Sequence, residues 1–361
     1  SDVYKRQDDG EVDLPVTPPV APMLAKAASM VPAQRADNPE WSYEPKWDGF
    51  RALIFRDGDE VVIGSRGGKD LARYFPEIVA AAREELPLKV VLDGEIGVPS
   101  LIGDTHRLDW DSLAQRIHPA ASRVAMLAET TPAIFIGFDA LALGNVGVID
   151  ESFVTRREAL VEAIGPGGRD RRFHVSRVTA DPAVAEDWFS AFEGAGLDGV
   201  VAKRLAGHYV ENKREMIKVK HKRTADCVVI GYRVHKSGTG LGSMLLGLFY
   251  DGELRMVGGA GAFTDAKRAE LQQMFEPMRL DPDKPSAGEP TRWRSEKSGE
   301  WIPIRPELVA EVAYDQMENG RFRHTVKFLR WRPDREPDSC GYEQLDVPLT
   351  YDLHDVLEGL D

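Results

Sequence analysis

One lysine of the sequence stands between an acidic residue and a turn. Lys46 lies in the segment from Glu44 to Arg51 (EPKWDGFR), where an Asp-Gly turn follows it closely. Strand-like runs flank this segment, from Trp41 to Tyr43 and from Phe50 to Arg56. A lysine near a turn between two strands is held in place, and a fixed amine can act as a covalent nucleophile. Alone, such a lysine is more often a surface residue, so the hypothesis depends on the residues that accompany it.

Further polar residues stand at the ends of other strand-like runs. Three of them are acids: Glu95, Asp139 and Asp198. The basic residues near such runs, beyond Lys46, are Arg51, Arg66, Lys203, Lys218 and Lys220. Carboxylates hold Mg²⁺ through their oxygens, and lysines and arginines neutralise the charge on a transferred phosphate. This mixture predicts a site for a nucleoside triphosphate and a divalent metal.

Composition indicates a globular protein of more than one domain. The 361 residues suffice for two ordinary domains, and 42% hydrophobic with 29% charged residues is typical of soluble proteins. The sequence contains no apolar run long enough for a membrane span, so we expect no membrane partner. We expect Ser1–Pro19 to be a disordered tail rather than a signal peptide. Two cysteines, Cys227 and Cys340, are too few for a disulfide framework, which favours a cytoplasmic setting.

The distribution of charge favours a phosphate-rich ligand although the net charge is -13. From Lys203 to Arg223 there are eight lysines and arginines and two acids, and from Arg321 to Arg335 there are six and one. A single basic run is more often a solvated face. Two dense runs in an otherwise acidic chain are typical of a protein that binds nucleic acid or nucleotides.

Short strands and helices must position these residues. Alternation of apolar residues predicts strands at about 50–56, 61–66, 89–92, 133–143, 173–178, 197–203 and 216–220. Periodicity with Pro and Gly at the ends predicts helices at about 75–86, 111–117, 151–164 and 182–193. In the strand over 216–220, a period of two puts Lys218 and Lys220 on one face. Residues 20 to 30 are interpreted as an apolar segment that docks on the first domain.

The pattern changes after residue 223. Strands are predicted at about 226–235, 244–250, 254–258, 308–317 and 324–332, with one helix at 264–276. Short strands with one helix are typical of a small barrel such as an OB-fold. We therefore predict an α+β protein in which a domain over residues 20–223 precedes an OB-fold domain over residues 224–361.

The ordered set of motifs resembles the covalent nucleotidyltransferase superfamily, and most closely the ATP-dependent DNA ligases. The similarity covers residues 20 to 335, and its pattern is that of the small bacterial ligases of the LigC type and of the LigD ligase domain. The motifs that carry it are Lys46-Trp47-Asp48-Gly49-Phe50-Arg51, Ser65-Arg66-Gly67, Asp93-Gly94-Glu95, Gly137-Phe138-Asp139, Asp198-Gly199-Val200-Val201-Ala202-Lys203 and Lys218-Val219-Lys220. The resemblance implies an adenylation domain of antiparallel sheets flanked by helices, followed by an OB-fold.

The resemblance also implies roles for these residues. Lys46 would take AMP as a phosphoramidate, with Asp48 and Arg51 as further catalytic residues of its motif. Glu44 would contact the adenine and Phe138 would stack on it. The remaining nucleotide contacts would be Arg66, Glu95, Lys203, Lys218 and Lys220, with Glu95 and Asp198 holding Mg²⁺ or Mn²⁺.

A last motif lies in the predicted barrel. The segment from Arg330 to Arg335 (RWRPDR) resembles the family pattern Arg-x-Asp-Lys, which covers ATP during self-adenylylation. Arg332 and Asp334 would be its catalytic residues. Two positions depart from the family pattern: Asp198 stands for a glutamate and is one methylene shorter, and Arg335 stands for a lysine and reaches differently.

The implied function is the sealing of 3′-hydroxyl/5′-phosphate nicks in duplex DNA by a monomeric enzyme that uses ATP. Nicked DNA is the implied partner, other repair proteins are candidate partners, and the bacterial nucleoid is the expected location. An RNA ligase or a capping-type enzyme is the alternative within the superfamily, and a non-catalytic OB-fold nucleic-acid-binding protein is the alternative outside it. NAD⁺ is a less suitable AMP donor, because NAD-dependent ligases carry a further N-terminal domain and a Cys-rich zinc finger.

Overall fold

The computed structural model describes residues 12–280 and 301–358, and these residues form two compact units. Unit 1 comprises Ser1–Lys220 together with Pro348–Asp361, and unit 2 comprises His221–Val347. The chain therefore leaves unit 1 near the predicted boundary at residue 223, and it returns to unit 1 for its last residues. No helix in the described ranges has both the length and the apolar character needed to cross a membrane.

Unit 1 is built mainly from strands. They are β1 (Leu24–Ala28), β2 (Trp41–Pro45), β3 (Phe50–Asp57), β4 (Glu60–Ser65), β5 (Lys89–Gly97), β6 (Pro99–Ile102), β7 (Thr105–Leu108), β8 (Ile134–Leu143), β9 (Val146–Gly147), β10 (Phe173–Val175), β11 (Val200–Arg204) and β12 (Arg214–Val219). Its helices are α1 (Pro76–Glu85), α2 (Trp110–Ala114), α3 (Ala121–Thr130), α4 (Phe153–Ile164) and α5 (Pro182–Ala191), with a last helix given below. The predicted strands and helices of this region are confirmed, with shifted ends.

The two larger sheets of unit 1 pack the alternating side chains of their strands into the core. One has four strands in the order β1-β12-β11-β2, and the other has the order β10-β8-β5-β3-β4, with β9 on β8. Along β3, Ala52 and Ile54 pack into one core cluster with α1 and α4, whereas Leu53 and Phe55 pack into another with Met216. The second sheet is therefore covered on both faces. Most pairs are antiparallel, but β1–β12 and β8–β10 are parallel.

Unit 2 is a β-barrel domain, and its described residues include one long helix. Its strands and helix are β13 (Arg223–Val234), β14 (Leu241–Tyr250), β15 (Glu253–Ala260), α6 (Asp265–Phe275), β16 (Ile302–Pro303), β17 (Val309–Tyr314), β18 (Met317–Glu318), β19 (Arg321–Phe322) and β20 (Lys327–Trp331). The main sheet has the order β15-β14-β13-β17-β20. Its core includes Leu246, Val257, Phe275 and Val312. The predicted OB-fold class is confirmed by this strand order.

Three sequence-based predictions need correction. Residues 20 to 30 do not simply dock, because β1 enters the four-stranded sheet beside β12. Within the predicted disordered tail, residues 1–11 lie outside the described residues, but Leu14 is buried against the core with Phe55. Residues 348–358 were predicted to belong to the OB-fold domain, yet they pack on unit 1. Burial of apolar side chains explains why Leu14 and residues 348–358 pack on unit 1.

The returning C-terminal segment forms the last helix, α7 (Leu353–Leu357). Asp352 caps its start by accepting a hydrogen bond from the backbone N–H of His354 at 2.8 Å. Arg177 holds its other end by donating to the carbonyls of Asp355 at 2.7 Å and Val356 at 3.0 Å. These paired end groups explain why so short a helix is ordered on unit 1.

Candidate active site

A cavity of about 320 Å³ in unit 1 lies between residues of its two larger sheets. It is lined by Leu24, Ala25, Ala27, Glu44, Pro45, Lys46, Trp47, Arg51, Arg66, Glu95, Phe138, Val201, Arg214, Met216 and Lys218. Eight of these residues, among them Lys46 and Phe138, were predicted from the sequence as site residues or as neighbours of the nucleophile in its motif. Apolar and aromatic side chains with several placed polar groups are the usual lining of a small-molecule site.

Strand register explains why these residues meet. In the four-stranded sheet, Val201 pairs with Glu44 on one side and with Lys218 on the other, so all three point the same way. In the other sheet, Arg51 pairs with Glu95 across β3 and β5. Paired residues in adjacent strands project from the same face. Two cross-strand rows therefore supply most of the charge in the cavity.

Lys46 directly follows β2 and is fixed by both its backbone and its side chain. Its N–H donates to the carbonyl of Gly199 at 2.8 Å, and its carbonyl accepts from the N–H of Asp198 at 3.1 Å. Its Nζ donates to Asp198 Oδ1 at 2.6 Å. The second oxygen of Asp198 forms an ion pair with Lys220 Nζ at 3.0 Å. One carboxylate therefore aligns two lysines.

Arg51 is held by a carboxylate that was not predicted as a site residue. Asp93 accepts from Arg51 Nε at 2.7 Å and from Nη2 at 2.6 Å, and its Oδ2 also accepts from the hydroxyl of Tyr209 at 2.7 Å. The guanidinium lies 4.9 Å from the ring centroid of Phe138. A two-pronged pair of this kind orients an arginine strongly. The Asp-Gly-Glu pattern contains Asp93, but nothing in the sequence shows that it faces Arg51.

Glu44 lines the cavity with a carboxylate that is almost fully buried. Its Oε1 pairs with Lys203 Nζ at 2.9 Å, while its Oε2 is buried and has no hydrogen-bond partner among the described residues. Burial raises the pKa of the Glu44 carboxyl, and Lys203 opposes this rise. A buried oxygen without a partner is costly unless a ligand supplies a donor.

Lys203 lies behind the cavity wall and does not line it. Its side chain is 2% exposed, and its Nζ donates to the backbone carbonyl of Phe138 at 2.6 Å as well as pairing with Glu44. The ammonium also lies 4.8 Å from the centroid of the Phe138 ring. Lys203, which was predicted to contact the nucleotide, contacts two residues that line the cavity, Glu44 and Phe138.

Glu95 carries a carboxyl group that titrates near neutrality. Burial raises its pKa to about 7, while the charges of Arg51 and Lys46 and a hydrogen bond from the N–H of Gly49 lower it. That N–H lies 3.0 Å from Glu95 Oε1. Asp48 lies beside Gly49 in the loop between β2 and β3, where it is half-buried. Divalent metal ions bind such carboxylates best when they are ionised.

The basic residues of the cavity repel one another. Burial lowers the pKa of Lys218, and the charges of Lys46, Lys220 and Arg66 lower it further. Arg66 follows β4 and Lys218 lies on β12, so the cations come from both sheets. A cluster of like charges without enough acids is typical of a site that binds an anion.

The residues of the barrel motif lie together in unit 2. Arg332 donates to Asp334 at 3.0 Å and 2.9 Å, and also to Asp226 at 3.1 Å and 3.3 Å. Arg335 donates to Asp226 at 2.6 Å, and Arg330 pairs with Glu311. Much of the positive charge counted in this basic run is thus already neutralised. Asp226 was not predicted as a site residue, because it stands near the start of β13 and belongs to none of the motifs.

Other residues depart from their expected roles or were missed. Asp139 is a structural acid, since it pairs with the buried Arg156 at 2.8 Å. Arg214 and Met216 line the cavity, and the period of two along β12 could have identified them together with Lys218. A larger cavity of about 560 Å³ lies elsewhere in unit 1, and Arg177 is the one charged residue in its lining.

Two family comparisons cover most of the chain. A sequence model described as "ATP dependent DNA ligase domain" matches residues 22–220. A second, described as "ATP dependent DNA ligase C terminal region", matches residues 237–335. The two matched ranges correspond to unit 1 and unit 2.

Individual proteins give the same result. The chain is 61% identical over 353 residues to DNA ligase C1 of Mycolicibacterium smegmatis. The aligned region covers 96% of this chain and 99% of that protein. It is 51% identical over 367 residues to DNA ligase C of Mycobacterium tuberculosis, and the aligned region covers 97% of this chain and 100% of that protein. A solved structure described as "DNA binding with a minimal scaffold: Structure-function analysis of Lig E DNA ligases" has a TM-score of 0.52 at 18% identity, covering 84% of this chain and 98% of that chain. The last similarity concerns the fold alone.

Proposed function

The chain belongs to the ATP-dependent DNA ligases, and on that premise we propose that Lys46 carries AMP as a covalent phosphoramidate while the enzyme seals nicks in duplex DNA. One observation carries the proposal. Lys46 lines a cavity together with a buried acceptor oxygen on Glu44, an aromatic ring and several cations. Adenine offers an amine to the acceptor and a flat face to the ring, and the phosphates offer negative charge to the cations.

The first step is an attack of Lys46 Nζ on the α-phosphorus of ATP. A nitrogen–phosphorus bond forms, the bond from that phosphorus to the bridging oxygen breaks, and pyrophosphate leaves. The amine must lose its proton, and Asp198 Oδ1 at 2.6 Å is the atom positioned to accept it. Lys218, Lys220 and Arg66 stabilise the charge that develops on the phosphates. Precise placement of the amine converts the attack into a step within one complex.

The base and ribose would contact residues of both sheets. We propose that Glu44 Oε2 accepts a hydrogen bond from the adenine amine and that Phe138 stacks on the ring. Asp93 keeps Arg51 aligned toward the nucleotide. Lys203 acts indirectly, because it holds the carboxylate of Glu44 and the backbone of Phe138.

Two carboxylates fit a divalent metal ion such as Mg²⁺ or Mn²⁺. Mg²⁺ takes few protein ligands when phosphate oxygens and water supply the rest, and Glu95 and Asp198 would be those ligands. When bound, the metal would neutralise charge on the phosphates. Asp198 is engaged by Lys46 and Lys220. A phosphoramidate on Lys46 carries no ammonium charge, so Asp198 can hold another cation once the proton taken from Lys46 has passed to solvent.

Two further steps complete the cycle. An oxygen of the 5′-phosphate attacks the phosphorus of lysyl-AMP, and the amine of Lys46 leaves with a proton. The 3′-hydroxyl then attacks the 5′-phosphorus, a phosphodiester forms and AMP leaves. Arg332 and Asp334 are proposed to act in the first step, and Asp48 in the alignment of the nucleophile's loop. We also propose a monomer that works on the bacterial nucleoid, alone or with other repair proteins.

The experiment is a sealing assay with nicked DNA, a nick that contains ribonucleotides, and single-stranded RNA ends, each with ATP or NAD⁺. We expect ATP-dependent sealing of nicked duplex DNA and none with NAD⁺. A nick without its 5′-phosphate is the matched control. Sealing of RNA ends in preference to nicked DNA would contradict the proposal and favour the RNA ligase alternative.

A further inference from the structure

Asp226 is a buried acid of unit 2 that holds two arginines of the barrel motif. Its side chain is 9% exposed and lies on β13. Oδ2 accepts from Arg332 Nη1 at 3.1 Å and from Arg335 Nη1 at 2.6 Å. A buried carboxylate between two guanidinium groups is a firm anchor, because it is the one acid that pairs with both Arg332 and Arg335 among the described contacts of the motif.

The backbone of Asp226 is fixed as well. The side-chain amide of Gln344 accepts from the N–H of Asp226 at 2.8 Å and donates to its carbonyl at 3.0 Å. Asp226 also pairs with Glu311 in the register of β13 and β17. Because its main chain is held on both edges, the carboxylate of Asp226 cannot follow a guanidinium that moves away.

The two edges of the Arg332 guanidinium differ. Nη1 contacts the buried Asp226, whereas Nε and Nη2 form a fork on Asp334, whose side chain is 64% exposed. Exposed pairs contribute little, and carboxylate and phosphate accept the same fork of donors. The contact with Asp334 is therefore exchangeable for a phosphate, and the contact with Asp226 is the permanent one.

We infer that Asp226 is a positioning residue for self-adenylylation, which fixes Arg332 through Nη1 and so presents the Nε–Nη2 edge to a phosphate of ATP. The inference rests on the proposed function, in which Arg332 acts in the first step. Asp226 then affects the formation of lysyl-AMP and not the last step, because sealing of a nick that already carries AMP uses no ATP. This selectivity separates positioning from a merely structural role.

Asp226→Asn is tested in two single-turnover assays against the wild type. One follows lysyl-AMP formation from labelled ATP, and the other follows the sealing of a nick with a preformed 5′-adenylate. We expect the first rate to fall about tenfold or more and the second to stay within about twofold. In the background of Arg332→Ala, the further change Asp226→Asn should have little effect, because the two residues act as one unit.

Two companion variants sharpen the test. Asp226→Glu keeps the charge and should recover part of the first rate, and Gln344→Ala should cause a smaller loss in the same step. Equal rates of lysyl-AMP formation for Asp226→Asn and wild type would overturn the inference, and so would equal losses in both assays. A wild type that forms no lysyl-AMP at all would contradict the proposed function instead.

Discussion

Asp198 is the residue whose interpretation changes most. From the sequence it is a shortened replacement for a glutamate, expected to hold metal. In the structure it pairs with two lysines, with one oxygen on Lys46, the proposed nucleophile, and the other on Lys220. The shorter side chain suffices because Asp198 and Lys46 are joined by a backbone hydrogen bond of 3.1 Å. The missing methylene is offset by the proximity of the two main chains.

The specificity for adenine is predicted to depend on Glu44. Glu44→Gln replaces an acceptor oxygen in the cavity by an amide that can also donate, so the adenine amine loses its best partner. We expect the preference for ATP over GTP in formation of the lysyl-nucleotide adduct to fall by about 5- to 150-fold, the effect of about 1–3 kcal/mol for an unpaired buried group. The measurement is kcat/KM for both nucleotides.

A matched control separates this effect from a general loss of charge. Glu253→Gln makes the same change at an exposed position of unit 2 and should leave nucleotide preference unchanged. If the ratio of kcat/KM for ATP to kcat/KM for GTP were the same in Glu44→Gln as in the wild type, Glu44 would not contact the base.

The rate of self-adenylylation is predicted to depend on the ionisation of Glu95. Its pKa is raised to about 7, so the carboxylate that we propose as a metal ligand is lost as pH falls through that value. We expect the rate to drop about tenfold per pH unit below pH 7. Since metal and proton compete for the carboxylate, more Mg²⁺ should move this limb to lower pH. A profile from pH 5.5 to 8.5 at two Mg²⁺ concentrations checks this, and a flat profile between pH 6 and 8 would contradict it.

At the scale of elements, the sequence predicts what is periodic and misses what is short. The hairpin of β3 and β4 and the helix α4 follow from alternation, turns and caps. The strand β1 was missed because its sequence, LAKAA, has neither alternation of apolar and polar residues nor β-branched residues, and its pairing with β12 supplies the stability. The residue pair Glu44 and Lys218 could be assigned by family resemblance, but their common orientation depends on register through Val201.

The junction of β11 with the nucleophile loop depends on Gly199. This glycine has a φ of +133°, and a Cβ at this position would lie 1.9 Å from the carbonyl oxygen of Val219. Gly199→Ala must therefore shift β11 or β12 and with them Lys46, whose N–H contacts the Gly199 carbonyl. We expect a loss of about 2 kcal/mol or more in stability and slower lysyl-AMP formation. Urea unfolding and adduct formation are the measurements.

Gly168→Ala serves as the control for this substitution. A Cβ there would meet the Arg171 side chain at 3.8 Å, an ordinary contact distance, and the φ of Gly168 lies outside the left-handed region. If Gly199→Ala were as stable and as active as Gly168→Ala, the close approach of β11 and β12 would not be needed for the site.

At the scale of the whole molecule, net charge does not predict the kind of ligand, and the order of segments along the chain predicts the domains only in part. The net charge of the protein is -13, yet the cations of its cavity lie close enough to repel one another. The sum of charges over the chain therefore does not show the local excess of positive charge at the site. The chain enters unit 2 after Lys220 and returns after Val347, so unit 1 is made of two separate segments. Sequence periodicity could not reveal this return, since α7 is only five residues long.

The returning segment is predicted to be part of the stable core of unit 1. Leu353 is fully buried in a cluster with Trp47 and Phe138, beside the proposed active site. Leu353→Ala should destabilise the protein by about 2–5 kcal/mol through the cavity it leaves. Leu349→Ala, four residues earlier and 84% exposed, should change stability by less than about 0.5 kcal/mol. Equal midpoints in urea unfolding for the two variants would show that α7 is not docked on unit 1.

The most direct measurement is the identification of the residue that carries AMP. The protein is incubated with ATP labelled in the α-phosphate and with Mg²⁺, and the adduct is located by peptide mass spectrometry. We predict one AMP on the peptide that contains Lys46, its absence in Lys46→Ala, and an unchanged adduct in Lys236→Ala, where an exposed lysine of unit 2 is removed. An adduct that persists in Lys46→Ala, or that maps to another lysine, would contradict the assignment of Lys46 as the nucleophile.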